Sequence, residues 1–272
     1  MGVNEFHYDR TAASMAIAFF EAALVHVKGE WAHERFRLQP WQRQIVGDLF
    51  GWKRRDGTRR YRKAYIEVPR KNGKSTIAAG IALYLLFADG EYGADVYSAA
   101  ADREQAAIVF ETAKQMVELS PLLRKRAELF KRSIFCAETM SSYKVLSADA
   151  YTKHGLNPHG IIFDELHAQP NRELWDVLNT GMGARRQPLM VMITTAGYDR
   201  TSICWEQREY ARGVQEGRFE DPSFYTCIYG AADDDDWLDP AVWEKVNPNL
   251  GVTIKREYLE TEAKRAVQSP AY

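Results

Sequence analysis

Val68-Pro69-Arg70-Lys71-Asn72-Gly73-Lys74-Ser75-Thr76 decides the fold of this 272-residue chain. The apolar run 64–68 leads into this stretch and predicts a buried strand, and the apolar run 77–88 follows it and predicts a helix. A strand, a Gly-Lys-Ser turn and a helix form the phosphate-binding loop arrangement, in which backbone N–H groups and the positive end of a helix dipole face an anion. Val68 stands where this motif usually has its first glycine, so the alternative interpretation is a basic surface turn.

The loop carries two side chains that suit a triphosphate. The Lys74 ammonium can reach β- and γ-phosphates, and the Ser75 hydroxyl can bind Mg²⁺. The sequence therefore predicts a nucleoside triphosphate and Mg²⁺ as ligands.

A second motif completes this prediction. The apolar run 160–163 predicts a strand that ends in Asp164 and Glu165, 90 residues after Lys74. Asp164 is predicted to hold Mg²⁺ through water, and Glu165 to orient and deprotonate the attacking water, because phosphoryl transfer needs positioning and electrostatic stabilisation.

A third pattern follows the acidic pair. The apolar run 189–193 predicts a further strand, and it ends in Thr194, Thr195, Ala196 and Gly197. Small hydroxyl residues at this point are expected beside the γ-phosphate in ATPases that have a strand inserted between the two motif strands; the alternative is an ordinary strand exit. The predicted fold is therefore α/β: a P-loop NTPase of the RecA-like, ASCE type, a three-layer sandwich with a mostly parallel sheet.

The pattern changes after residue 201, which predicts a core at 1–201 with an N-terminal helical extension and a second part at 202–272. The formal net charge is −1, yet residues 201–272 carry 8 Lys and Arg against 14 Asp and Glu, so the front part is mildly basic. Seven basic residues and one acid at 53–63 predict a hairpin that either contacts DNA phosphates or is merely solvated. Gln42 is predicted to be exposed near a helix start, where its amide either reads an adenine edge or is solvated.

The apolar runs and the cysteine spacing argue against a membrane-spanning protein and against a disulfide-linked or zinc-binding one. The longest apolar run, 77–88, is too short to cross a bilayer, and the three cysteines show no disulfide or zinc spacing. These features predict a soluble protein of a reducing compartment with no membrane partner.

Five motifs in this order resemble the large terminase subunit of tailed bacteriophages, the motor that packages DNA into a procapsid. The resemblance runs from about residue 30 to the C-terminus, and it rests on Pro-Trp-Gln at 40–42, Pro-Arg-Lys-Asn-Gly-Lys-Ser-Thr at 69–76, Ser-Ala-Ala-Ala-Asp-Arg-Glu-Gln-Ala at 98–106, Ile-Ile-Phe-Asp-Glu-Leu-His at 161–167 and Thr-Thr-Ala-Gly at 194–197. A phosphate loop that contains arginine and lacks the first glycine is typical of that family.

The resemblance implies ATP hydrolysis that drives double-stranded viral DNA into a procapsid. It implies that Gln42 reads adenine, that Arg70 supplies a cation, and that residues 194–197 couple hydrolysis to movement. It also implies that the second part, 202–272, is a small C-terminal lid or linker subdomain. The implied ATP contacts are Gln42, Arg70, Lys71, Asn72, Gly73, Lys74, Ser75 and Thr76. The implied partners are double-stranded DNA, the portal protein, the small terminase subunit and further copies of the chain, which form a ring at the portal vertex in the host cytoplasm and separate into monomers in isolation.

Family members also carry a C-terminal nuclease domain of the ribonuclease H type. Residues 270–272 stop where the linker to that domain would begin, so the resemblance implies the ATPase part alone, without DNA cleavage. The acidic run 233–236 is interpreted as a solvated loop, with a metal site as the alternative.

A cation from a neighbouring subunit is also expected. The family places it shortly before the Asp-Glu strand, where this chain has Lys153, with Arg200 as the second candidate and a solvated lysine as the alternative.

Other functions stay open at this point. A DEAD/DEAH-like helicase or translocase fits Asp164-Glu165-Leu166-His167, but it needs a second RecA-like domain, and only 107 residues follow Glu165. A nucleotide-dependent assembly module that does not hydrolyse ATP, and a stand-alone nuclease, are the remaining alternatives.

Overall fold

The structure is a computed structural model that describes residues 5–101, 103–146 and 155–269. Its strands are β1 (Phe6–Tyr8), β2 (Trp52–Arg54), β3 (Lys63–Glu67), β4 (Asp95–Ala99), β5 (Ala127–Leu129), β6 (Ser133–Cys136), β7 (Ser141–Val145), β8 (Pro158–Asp164), β9 (Leu189–Thr194) and β10 (Phe224–Ile228). Its α-helices are α1 (Arg10–Ala23), α2 (Pro40–Gly51), α3 (Lys74–Phe87), α4 (Arg103–Leu119), α5 (Pro121–Arg124), α6 (Glu173–Gly181), α7 (Ile203–Gln215), α8 (Pro240–Val246) and α9 (Arg256–Gln268).

A central sheet organises the molecule. Its strand order is β10-β3-β9-β8-β4-β7-β6-β5. The strands from β10 to β7 are parallel, and β6 and β5 add an antiparallel edge. The prediction that a strand is inserted between the two motif strands is confirmed, because β9 lies between β3 and β8.

Strand alternation explains the layers. Successive side chains of a strand point to opposite faces of the sheet, so Tyr65 and Ile66 enter different cores. The core that contains Ile66 is covered by helices α1 to α4, and the core that contains Tyr65 is covered by α6 and α7. The predicted three-layer α/β fold with a mostly parallel sheet is confirmed.

Helix α3 is buried on almost every side, as its nearly unbroken apolar sequence predicts. It accepts α1 at close range because Gly80 has no side chain: an added Cβ would lie 2.3 Å from Cε1 of the buried Phe20 ring. This contact fixes the N-terminal helical extension against the helix that begins at the phosphate loop.

The sheet extends past the predicted division at 201 and 202. Strand β10 is hydrogen-bonded in parallel to β3, with Cys227 opposite Ile66. The lid or linker subdomain at 202–272 stays a proposal; this range begins with α7 and β10 and continues into α8 and α9.

In the described residues, no helix is long and apolar enough to span a bilayer. Cys136, Cys204 and Cys227 are all free thiols.

The basic segment 53–63 turns at Asp56 and Gly57, but Arg59 is fully buried. Its guanidinium donates to both carboxylate oxygens of Asp89 at 2.9 and 3.0 Å, and His159 Nε2 lies 2.6 Å from Asp89 Oδ2. For Arg59, both the DNA-contact and the solvated interpretation are wrong, because its charge ties the hairpin to the end of α3 and the start of β8.

The pKa of Asp89 reflects its contacts with Arg59 and His159. Burial raises the pKa of its carboxyl, but Arg59 and His159 outweigh burial and hold the pKa below the ordinary 3.8. The unfolded chain therefore takes up this proton at a higher pH than the folded chain does. The resulting stabilisation is complete above the ordinary pKa and is lost as the pH falls through the lower pKa of the folded state.

We expect Asp89→Asn to lower the free energy of unfolding by about 3–5 kcal/mol at pH 7, because it leaves the buried Arg59 charge without its partner. The matched control is Glu216→Gln, which removes an exposed partner of Arg218 and should leave the free energy of unfolding close to that of the wild type. Urea unfolding followed by circular dichroism measures both. A cost for Asp89→Asn as small as that of the control would contradict the assignment.

Candidate active site

The motif residues meet because three parallel strands end at one edge of the sheet. Strand β3 leads into the phosphate loop, β8 ends at Asp164, and the adjacent β9 ends at Thr194. Ligands of open α/β sheets bind outside such carboxyl ends. Lys74 Nζ lies 4.0 Å from Glu165 Oε1, so the two predicted motifs face each other across this edge.

The phosphate loop reaches its shape without the usual first glycine. Val68 is fully buried, and its N–H donates to Thr194 O at 3.1 Å, so this position is a continuation of the sheet. The turn is made further along, where Lys71 and Gly73 have φ angles of +69° and +82°. Gly73 suits this left-handed conformation, whereas Lys71 adopts it at a conformational cost.

Lys74 begins α3 and is 7% exposed. Its ammonium donates to Val68 O at 3.1 Å and to Pro69 O at 3.4 Å. Burial lowers its pKa, and the carboxylates of Glu165 and Asp164 oppose that shift.

The acidic pair differs in environment. Asp164 is 2% exposed, and burial together with the charge of Glu165 raises its pKa to about 7. Glu165 has φ of +49°, a conformation that is uncommon for a residue with a side chain. Its N–H donates to Ile193 O at 3.0 Å, which holds this turn against the end of β9.

A histidine links the acidic pair to the segment 194–197. His167 Nδ1 lies 3.1 Å from Glu165 Oε2 and 3.0 Å from Thr194 Oγ1. Thr195 Oγ1 donates to Glu165 Oε2 at 3.4 Å, and a Cβ on Gly197 would lie 3.2 Å from His167 Cβ. The sequence motifs assign no role to His167. The feature that could have identified it is a side chain able to accept or donate a hydrogen bond, two residues after Glu165 on the same turn.

Gln42 lies beside the phosphate loop, although the prediction of exposure is wrong. It is 4% exposed, and its Oε1 accepts from Gln39 N at 3.0 Å at the first turn of α2. Its Nε2 is 3.6 Å from the position that a Cβ on Gly73 would take. Gln42, Gly73, Thr76 and Asn249 line a cavity of about 630 Å³ with part of the segment 26–37.

The opposite side of the phosphate loop faces the segment 194–197. Arg70 is exposed and lines a second cavity, of about 390 Å³, with His167, Thr195 and Ala196. Lys71 is exposed, Ser75 and Thr76 are half-buried on the first turn of α3, and Asn72 is fully buried.

The structure does not bring every predicted residue to the site. Lys153 lies outside the described residues. Arg200 is exposed and stands over the Trp205 ring at 5.2 Å from its centroid. Within the acidic run, Asp235 pairs with Lys245 at 2.6 Å. Among the described residues, no three His, Cys, Asp or Glu side chains gather as a metal-binding group.

This edge of the sheet defines the class: a nucleotide-binding α/β protein of the P-loop type, with the additional strand of ATPases. Residues 40–213 match the model of the terminase large subunit ATPase domain. The chain therefore belongs to the terminase large subunit family. Residues 218–272 match the endonuclease-domain model of the same family, and β10, within that range, is part of the central sheet.

Relatives agree with this assignment. The chain is 28% identical over 267 residues to the terminase large subunit of Enterobacteria phage HK97, which covers 96% of this chain and 51% of that protein. It is 42% identical over 112 residues to protein YmfN of Escherichia coli strain K12, 41% of this chain and 25% of that protein. The chain thus spans about half the length of the HK97 relative, and less of YmfN.

Solved structures agree as well. The crystal structure of the HK97 large terminase superimposes with a TM-score of 0.81 at 28% identity, covering 95% of this chain and 52% of that one. The large terminase ATPase domain of Thermus phage P74-26 gives a TM-score of 0.54 at 19% identity, over 76% and 83% of the two chains, and shows the shared fold.

We expect Asp164→Asn to stabilise the chain in buffer with EDTA and no nucleotide, and more at pH 8 than at pH 5. The folded state binds the Asp164 proton more tightly than the unfolded state, so the cost of ionising this carboxyl appears as the pH rises from 3.8 through about 7. The gain should differ between the two pH values by on the order of 2 kcal/mol.

Thermal and urea unfolding at both pH values measure this difference. Asp234→Asn, an exposed change of the same kind, serves as the control and should show no such dependence. A stabilisation that is equal at pH 5 and pH 8 would mean that Asp164 does not carry the raised pKa.

Proposed function

We propose that this chain hydrolyses ATP and that this reaction moves double-stranded viral DNA into a procapsid. The observation that supports hydrolysis is the meeting of the two motifs, with Lys74 Nζ 4.0 Å from Glu165 Oε1 at the carboxyl ends of β3 and β8, the two parallel strands on either side of β9. A site that only bound nucleotide would not need a second acid, Glu165, beside the buried Asp164 and opposite the lysine.

The nucleotide is assigned to the two cavities around the phosphate loop. The base enters the cavity lined by Gln42 and Gly73, where the Gln42 amide presents its Nε2. The phosphates follow the loop amides past Lys74 toward the second cavity, which Arg70 lines, so that both side chains supply positive charge.

The acidic pair fits a divalent cation. Asp164 is almost fully buried beside Glu165, and its pKa is raised first by burial and then by the charge of Glu165, which Lys74 only partly offsets. Asp164, through water, and the hydroxyl of Ser75 would hold Mg²⁺, which neutralises phosphate charge as it develops.

Glu165 is assigned as the general base. Its carboxylate is held by His167 and Thr195, so it can orient a water and accept its proton. Because both partners belong to or touch the segment 194–197, a change at Glu165 alters contacts of that segment directly. Thr194, Thr195, Ala196 and Gly197 are therefore proposed to couple hydrolysis to movement of the chain.

The remaining assignments follow the family. The proposed partners are double-stranded DNA, the portal protein, the small terminase subunit and further copies of the chain in a ring at the portal vertex. Residues 202–272 are proposed as the lid or linker subdomain. Lys153 or Arg200 is proposed as the cation that a neighbouring subunit adds to the site, since such a cation accelerates phosphoryl transfer strongly. That this chain does not cleave DNA stays a prediction.

We expect Glu165→Gln to lower the turnover of ATP by about 10²–10⁴-fold while the chain still binds ATP with Mg²⁺. The amide can hold a water but cannot take its proton. Phosphate release measures turnover, and isothermal titration measures binding. The control is Glu173→Gln, at an exposed position on α6, which should keep full activity. Near-normal turnover by Glu165→Gln would remove Glu165 from the role of base.

A further inference from the structure

The backbone carbonyls of the phosphate loop are bonded to side chains. Asn72 Nδ2 donates to Pro69 O at 3.2 Å and to Arg70 O at 3.4 Å. Thr253 Oγ1 donates to Lys71 O at 2.6 Å. Asn249 Nδ2 donates to Asn72 O at 2.9 Å, so four consecutive carbonyls each accept from a side chain.

Two of these donors come from a turn far along the chain. Asn249 and Thr253 lie 177 and 182 residues after their partners. The same turn makes two more hydrogen bonds to Asn72. Asn249 N donates to Asn72 Oδ1 at 2.9 Å, and Asn72 Nδ2 donates to Asn247 Oδ1 at 3.1 Å. We refer to residues 247–253 as the asparagine turn.

The asparagine turn also contacts the helix that carries Gln42. Trp41 Nε1 donates to Asn249 Oδ1 at 2.8 Å, and Asn249 is 2% exposed. One amide side chain thus joins the phosphate loop to the start of α2, and it lines the cavity assigned to the base. Burial away from water makes these bonds costly to lose, because each freed polar group would remain unsatisfied.

The bonded carbonyls determine where the amides point. The peptide bonds of the described residues are all trans, so each N–H points opposite to the carbonyl of the preceding residue. With the carbonyls of Arg70, Lys71 and Asn72 directed at side chains, the N–H groups of the next three residues face the other side. In a loop with the same residues but free carbonyls, the carbonyl oxygens could turn toward a bound anion and repel it.

We propose that Asn249 and Thr253 are positioning residues that hold the phosphate loop in its anion-binding conformation. This inference rests on the proposed function, in which the loop binds the phosphates of ATP. Linkage makes the effect reciprocal: a nucleotide that requires this loop conformation also stabilises the docked asparagine turn. The C-terminal segment therefore senses the occupancy of the site.

The test uses ADP with Mg²⁺ as the probe, bound to the full 272-residue chain by isothermal titration. Thr253→Val removes only the hydroxyl at an exposed position, and Thr253→Ser keeps it. Asn249→Asp keeps the oxygen that accepts from Trp41 but loses the donor to Asn72 O. We expect Thr253→Val and Asn249→Asp to weaken ADP binding about 5- to 30-fold, with wild-type affinity for Thr253→Ser.

Two further readouts distinguish positioning from general stability. The KM for ATP should rise in the weakened variants while kcat at saturating ATP stays within about 3-fold of wild type, since the base Glu165 is unchanged. Hydrogen exchange of the peptide that contains residues 69–76 should be faster in Thr253→Val than in Thr253→Ser. Glu244→Gln, an exposed change in α8, is the control and should alter none of these values.

Wild-type affinity for ADP in both Thr253→Val and Asn249→Asp would overturn this inference and leave the proposed function standing. Equal losses in Thr253→Val and Thr253→Ser would also overturn it, because the hydroxyl would not be responsible. A wild-type chain that binds neither ADP nor ATP would instead overturn the proposed function. Thr253 is exposed, so its variants keep the test decisive if Asn249→Asp does not fold.

Discussion

The parallel pairing of β3, β9 and β8 is the constraint on which the rest of the site depends. It places the end of each strand at one edge of the sheet, and it brings Lys74, Asp164 and Thr194 together from separate stretches of the chain. The backbone of β9 reaches across this edge: Thr194 O accepts from Val68 N, and Ile193 O accepts from Glu165 N. A shift of β9 would therefore disturb the phosphate loop and the acidic turn at once.

Two buried aspartates show how the chain uses charge in different ways. Asp89 lies between Arg59 and His159, its pKa is lowered, and its ionised form stabilises the fold. Asp164 has an acid as its nearest charged neighbour along the chain, its pKa is raised to about 7, and its ionised form costs stability. The first arrangement is what a structural ion pair requires, and the second is what a cation site requires.

Patterns among neighbouring residues predict those parts of the fold that depend on short stretches of sequence. The strand, loop and helix at 64–88 and the strand ending in Asp164 follow from apolar periodicity and a few polar residues. The position of β9 between the motif strands follows from the chemistry of residues 194–197. These features need only neighbours in sequence, or the known geometry of parallel strand ends.

Contacts between distant residues account for what the sequence does not predict. The burial of Gln42 depends on the phosphate loop packing against α2, and the burial of Arg59 depends on Asp89 and His159. The bond from Asn249 to Asn72 joins residues 177 apart, and nothing in the local pattern of either asparagine indicates it. Strand β10 joins the sheet through pairing with β3, although its own sequence would suit a second unit equally well.

The most direct test of this account is a crystal structure of the chain with Mg²⁺ and a non-hydrolysable ATP analogue. In that complex we expect Lys74 Nζ to contact a β- or γ-phosphate oxygen, Asp164 and Ser75 to surround the metal ion, and the base to lie in the cavity beside Gln42. We also expect Asn249 to remain bonded to Asn72. An analogue bound away from the phosphate loop, or a metal ion held without Asp164, would contradict it.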